Sequence, residues 1–77
     1  MMNMITINSL VKDLPLSIRV RNTLRRDGVF TVRAILRKGK QGLYLLPGIG
    51  TLSLKEIDNM LDKAGIELPE GTAKKVA

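Results

Sequence analysis

The sequence predicts an all-α fold, a compact bundle of four to five short helices. Three observations carry it. Apolar residues recur at helical spacing in separate stretches, most clearly Leu54, Ile57, Met60, Leu61 and Ala64, at offsets 0, 3, 6, 7 and 10. Good N-caps precede those stretches and glycines follow them. No segment alternates apolar and polar residues long enough to make a convincing strand.

The totals bound the rest. A sequence of 77 residues is one domain, and at that size folding buries only about 60% of the unfolded surface. With no cysteine there is neither a disulfide framework nor a thiolate metal site. With no histidine the commonest general base and metal ligand are gone. The carboxylates are scattered singly, apart from Asp58 and Asp62 beside Lys55 and Lys63, which is ordinary surface patterning. We therefore expect neither an enzyme nor a cofactor. No apolar run approaches the roughly 18 residues of a membrane span, and the start Met1-Met2-Asn3-Met4-Ile5 lacks the layout of a signal peptide. A cytoplasmic monomer with no membrane partner is expected. Charge is the strongest compositional feature, at +6 with a pI of about 10.2. Residues 12–40 hold nine basic groups, six of them arginines, against Asp13 and Asp27, while residues 41–77 hold four basic and five acidic groups. Such asymmetry points to a polyanion, and arginine suits phosphate because its planar fork donates two parallel hydrogen bonds. The plainer alternative is a basic face kept for solubility.

Along the sequence, residues 1–9 read as a loosely ordered arm whose Ile5 and Ile7 can dock on the domain, and residues 10–69 as the domain itself. Leu10, Val11 and Leu14 suit one short helical turn before Pro15. Ser17 is an N-cap for a helix over 18–27, closed by Gly28 as its C′ residue. Leu24 and either Ile18 or Val20 should enter the core. Arg19, Asn22 and Arg26 share a face. Val29 and Phe30 should be buried after the turn. Thr31 caps a helix over 32–38, with Val32, Ile35 and Leu36 inward and Gly39 at its end. A short helix over about 41–46 turns Leu43 and Leu46 inward, with Tyr44 as a packing residue. The last helix, to Ala64, ends at Gly65, after which Ile66 and Leu68 fold back. Residues 70–77 read as a mobile tail.

The stretch Leu46-Pro47-Gly48-Ile49-Gly50-Thr51-Leu52-Ser53-Leu54-Lys55-Glu56-Ile57 ties these elements together. Pro47 stops the preceding helix. Gly48 and Gly50 allow positive φ and close approach of a ligand to bare backbone, and Ile49 should plug the core. Ser53 with Glu56 reads as a capping box. A helix N-terminus with free N–H groups is an anion site. The pattern Pro-Gly-Ile-Gly, with apolar Ile57 seven positions after Gly50, resembles a helix-hairpin-helix, a motif that binds the nucleic-acid backbone without reading its sequence. The alternative is a plain turn between two helices.

A longer resemblance covers residues 10–68. Leu14-Pro15-Leu16-Ser17-Ile18-Arg19, then Asn22 and Leu24, then Ile49-Gly50-Thr51-Leu52-Ser53-Leu54-Lys55-Glu56-Ile57 and Gly65-Ile66-Glu67-Leu68, resemble the C-terminal domain of the bacterial RNA polymerase α subunit. The resemblance implies a helical bundle that reads A/T-rich double-stranded DNA in the minor groove and touches activators and σ. It implies a minor-groove arginine at Arg19 with Asn22 beside it, a DNA-backbone contact at Thr23, the hairpin glycine at Gly50, a phosphate contact at Ser53 and a glutamate that orders the site at Glu56. The hairpin residues Gly48 and Thr51, and Arg26 on the first helix, complete the expected nucleic-acid surface. Thr51 and Leu52 stand where that family usually has lysines, which should weaken phosphate binding and flatten its salt dependence. The family's large assembly domain and linker are not among these 77 residues, so the sequence is expected to be either a free-standing relative or an excised domain. The leading expectation is a DNA-binding module of the transcription machinery. The alternative is a protein-interaction module that binds RNA polymerase, σ or another regulator and has lost strong DNA binding.

Overall fold

The computed structural model describes residues 4–71. A 3₁₀ turn, Val11–Asp13, leads into three α-helices: α1, Ile18–Arg26; α2, Val32–Tyr44; and α3, Thr51–Lys63. Among the described residues the only β-type pairing is an isolated antiparallel bridge between Leu10 and Thr31. The all-α expectation holds, with three helices in place of four or five. The stretches expected as helices over 32–38 and 41–46 count as one element, α2, which is interrupted at Gly39.

The caps form largely where the sequence places them. Ser17 is the N-cap of α1 and accepts from the Val20 N–H, and Thr31 is the N-cap of α2 and accepts from the Ala34 N–H. Both α1 and α3 close in a Schellman motif. Val29 N–H donates to Leu24 O and Gly28 N–H to Arg25 O; Ile66 N–H donates to Leu61 O and Gly65 N–H to Asp62 O.

The core is one cluster. Val20 and Leu24 come from α1, Val32, Ile35 and Leu43 from α2, and Ile57, Met60 and Leu61 from α3. Val11, Leu14 and Leu16 close it from the 3₁₀ turn, Ile49 from the hairpin and Leu68 from the C-terminal fold-back. Ile18 stays outside, so Val20 is the inward residue at the start of α1. Two expectations fail. Phe30 is 56% exposed and Tyr44 55% exposed. Val29 and Leu43, their immediate neighbours, take the core positions, and in so small a bundle one large residue per turn fills the available depth.

The flanking segments complete the helix ends. The N–H groups of Val32 and Arg33 donate to Ser9 O and Ile7 O. With Thr31, they satisfy the first three helical N–H groups of α2. Residues 7–9, which the sequence assigns to an arm, thus meet the domain as a backbone cap. At the other end, α2 is broken at Gly39, with φ 70° and ψ 178°. The break frees the Lys40 and Gln41 N–H groups, and these donate to Pro69 O and Glu70 O at 2.8 Å each. A Cβ on Gly39 would sit 2.5 Å from the Gly71 Cα. Residues 70 and 71, placed by the sequence in a tail, therefore lie against α2; the rest of that stretch, 72–77, falls outside the described residues.

Gly39→Ala should destabilise the domain by about 1–3 kcal/mol, because its φ and ψ belong to a region open only to glycine. A urea midpoint equal to that of the wild type would show that the break and its covering segment do not contribute to stability.

Candidate nucleic-acid interface

The hairpin between α2 and α3 is built by a four-residue turn. Ile49 N–H donates to Leu46 O at 3.1 Å, with Pro47 and Gly48 at the two central positions. Gly48 has φ 92°, the conformation that a type II turn demands after proline. Ile49 then drops into the core and anchors the turn, as its sequence position leads one to expect. Gly50 is the N-cap of α3, in extended conformation, and the helix start receives no hydrogen bond from a capping side group.

This last point corrects the capping-box expectation at Ser53 and Glu56. The helix begins at Thr51, three residues earlier than a Ser53 cap requires, so Ser53 lies inside the first turn, half-buried. Glu56 works at a distance instead. Its carboxylate accepts from the Ser17 N–H at 2.5 Å and from the Ser17 hydroxyl at 3.3 Å. Ser17 in turn accepts from Val20 N–H at 3.3 Å. The pair reproduces a capping box, but the glutamate comes from α3, because the third position of α1 is the buried Val20. Sequence reasoning missed this. The available signal was a serine N-cap without an acidic residue three positions on.

The consequence is positional. Glu56 joins the start of α1, the turn that carries Arg19, to α3. A second contact reinforces the arrangement. Thr23 packs against Gly48, where an added Cβ would come within 3.2 Å of Thr23 Cγ2. Thr23 is only 5% exposed, and its hydroxyl donates to Arg19 O at 2.9 Å. Its side chain therefore faces α1 and the hairpin, so the ligand contact expected of it is not supported by its position. It joins the two parts of the site.

The remaining expected residues are at the surface. Arg19, Asn22 and Arg26 lie along α1, all three exposed, and Gly48, Gly50 and Thr51 are exposed at the hairpin. Nothing lies within 4 Å of a Cβ placed on Gly50, so the space over the N-terminus of α3 is open. The basic charge is largely uncompensated. Among the described residues the ion pairs join Lys12 to Asp13 and Lys40 to Asp58 and Glu70, and no arginine has a carboxylate within 4 Å. Arg21 is held instead by Leu14 O at 3.1 Å, and Arg33 by Asn8 Oδ1 at 3.2 Å. Among the described residues no group of three or more His, Cys, Asp or Glu side chains is placed to hold a metal ion, and no helix is long and apolar enough to cross a membrane. What the surface offers is a set of cations beside unpaired backbone N–H groups, an arrangement suited to phosphate.

The cross-helix cap yields a stability prediction. Glu56→Ala and Ser17→Ala should each cost about 0.5–2 kcal/mol, and the double variant should cost clearly less than their sum. Additive losses in a urea-denaturation cycle would show that the two residues do not act as one cap.

Comparison with known proteins identifies the family. The model of the family described as the C-terminal domain of the bacterial RNA polymerase alpha chain matches residues 3–63. The DNA-directed RNA polymerase subunit alpha of Thermus thermophilus is 42% identical over 60 residues, covering 78% of this protein and 19% of that subunit. The subunit from Thermus aquaticus gives the same figures. That from Alkaliphilus metalliredigens is 33% identical over 58 residues, covering 75% of this protein and 18% of the subunit. The protein thus spans about a fifth of the length of the curated relatives it matches. A match over most of its residues shows that it belongs to the family formed by the C-terminal domain of the bacterial RNA polymerase alpha subunit.

Proposed function

We propose that this domain binds double-stranded DNA as a module of the transcription machinery. Arg19 enters an A/T-rich minor groove, where narrowing deepens the negative potential. Asn22 hydrogen-bonds to the groove or the adjacent backbone, and Arg26 extends the contact along α1. The N–H groups from Gly50 to Ser53 hold a phosphate at the N-terminus of α3, with Gly48 keeping the turn tight and Thr51 at its rim. Glu56 acts by seating α1, and Thr23 by joining α1 to Gly48. One observation carries the reading: the start of α3 has no side-group cap, and α1, which Glu56 ties to α3, carries an exposed Arg19 that meets no carboxylate among the described residues. RNA polymerase, σ or a regulator would be the protein context.

A second reading has its own observation. Leu52 is 82% exposed in the first turn of α3, where a phosphate site would gain more from a cation. A protein contact to polymerase, σ or a regulator would cover it. Affinity purification after nuclease treatment separates the readings, since partners bridged by DNA are lost and direct ones stay.

Titration of the labelled domain with A/T-rich and G/C-rich duplexes should shift the amides of Arg19, Asn22 and Gly48–Ser53 more strongly with the A/T duplex. Equal, diffuse shifts abolished by moderate salt would overturn the minor-groove placement and leave only a generic field. Arg19→Ala should remove most of the affinity in a gel-shift titration; near wild-type binding would exclude Arg19 as the minor-groove residue.

Gly50→Asp separates folding from binding. Its Cβ meets open space and aspartate is a favourable N-cap, so stability should hold or rise by up to about 1 kcal/mol. Affinity for the duplex should nevertheless fall roughly tenfold or more, because a carboxylate would occupy and repel the phosphate position. Unchanged binding would exclude the N-terminus of α3 as the phosphate site.

A further inference from the structure

The N-terminal end of α2 carries a different surface. The bridge between Leu10 and Thr31, and the bond from Val11 N–H to Phe30 O at 2.8 Å, bring Leu10 and Phe30 together. The bond from Arg33 N–H to Ile7 O adds Ile7 to the same end of the helix. All three apolar residues are exposed: Phe30 56%, Leu10 42% and Ile7 38%. Arg33 and Arg37 follow at i, i+4 on the exposed side of α2, without a carboxylate within 4 Å among the described residues. Arg33 is preset by its hydrogen bond to Asn8 Oδ1. The hairpin lies beyond the other end of α2, past the break at Gly39.

We infer that this end of α2 is a docking surface for an acidic, apolar segment of a partner protein. Charge complementarity makes the occupant anionic. The exposed aromatic ring, at the same end of the helix as exposed Leu10 and Ile7, makes it a protein and not a second stretch of nucleic-acid backbone. A row of phosphates would leave these apolar groups uncovered, whereas leucine or phenylalanine side chains between carboxylates would bury them. Aromatic residues and arginines of this kind are the anchors that dominate protein interfaces. Holding Arg33 in place lowers the ordering cost of binding. Separation from the hairpin lets both surfaces be occupied at once, so the domain would tether an acidic protein segment to DNA.

The test is an amide-resolved titration of the full 77-residue protein with three probes. They are a short synthetic peptide of aspartate and glutamate with leucine and phenylalanine on one helical face, polyglutamate of equal charge, and a DNA duplex. The peptide should shift Ile7–Leu10 and Phe30–Arg37, leave Gly48–Ser53 unmoved, and bind equally well with duplex present. Phe30→Ala and Arg37→Glu should each weaken the peptide roughly tenfold. Neither residue is in the buried core, and a dispersed spectrum verifies that each variant folds. Three results would each overturn the inference. They are equal binding of polyglutamate, duplex shifts centred on Phe30–Arg37, or peptide binding unchanged by Phe30→Ala.

Discussion

The carboxylate of Glu56 at the start of α1 is the contact on which the geometry of the site depends. A helix packed only by its apolar face can still slide or fray at its end. A carboxylate accepting from both the N–H and the hydroxyl of Ser17 pins that end to one position on α3. Two things follow. The first turn of α1, which carries Arg19, is tied to α3 at its N-cap. The first turns of α3, reached through the hairpin, are set next to it. Thr23 against Gly48 fixes the same relation one turn later. Both contacts tie α1 to the hairpin and α3.

Accounting for helix N-termini explains how one surface differs from the rest. Each helix begins with N–H groups that have no partner inside the helix. In α1 they are met by Ser17, itself braced by Glu56. In α2 they are met by Thr31 and by the carbonyls of Ile7 and Ser9. In α3 no side group meets them. The same segments that close α2 expose Phe30 and Leu10 beside Arg33. Thus one end of α2 becomes an apolar and basic surface, while the turn after its other end becomes a polar one. Both arise from where the backbone bonds go.

A domain this small has little core to spare, and its peripheral segments compensate. The break at Gly39 interrupts α2 and would leave donors unpaired. Residues 69 and 70 return to accept from them. Leu68 fills the adjoining part of the core as it does so. The interruption is accommodated because a distant segment lies within hydrogen-bonding reach.

Much of this was legible in the sequence because it is local. The Ser17 and Thr31 caps, the closures at Gly28 and Gly65, the stripe through Ile57 and Leu61, and the plug at Ile49 all follow from spacing within a few residues. So does the alignment of Arg19, Asn22 and Arg26 along one helix. What the sequence could not supply is pairing across distance. Ser53 and Glu56 have the spacing of a local box, but Glu56 binds a serine 39 residues away. Gly39 reads as a helix end and does interrupt α2, but the sequence could not show that residues 69–71 return to cover the break. Phe30 and Tyr44 read as core, but their neighbours reached it first. Helix caps and periodic faces are determined by a few consecutive residues. Which carboxylate meets which N–H, and which of two neighbouring apolar residues is buried, is decided only when the three helices pack and a limited interior volume must be shared.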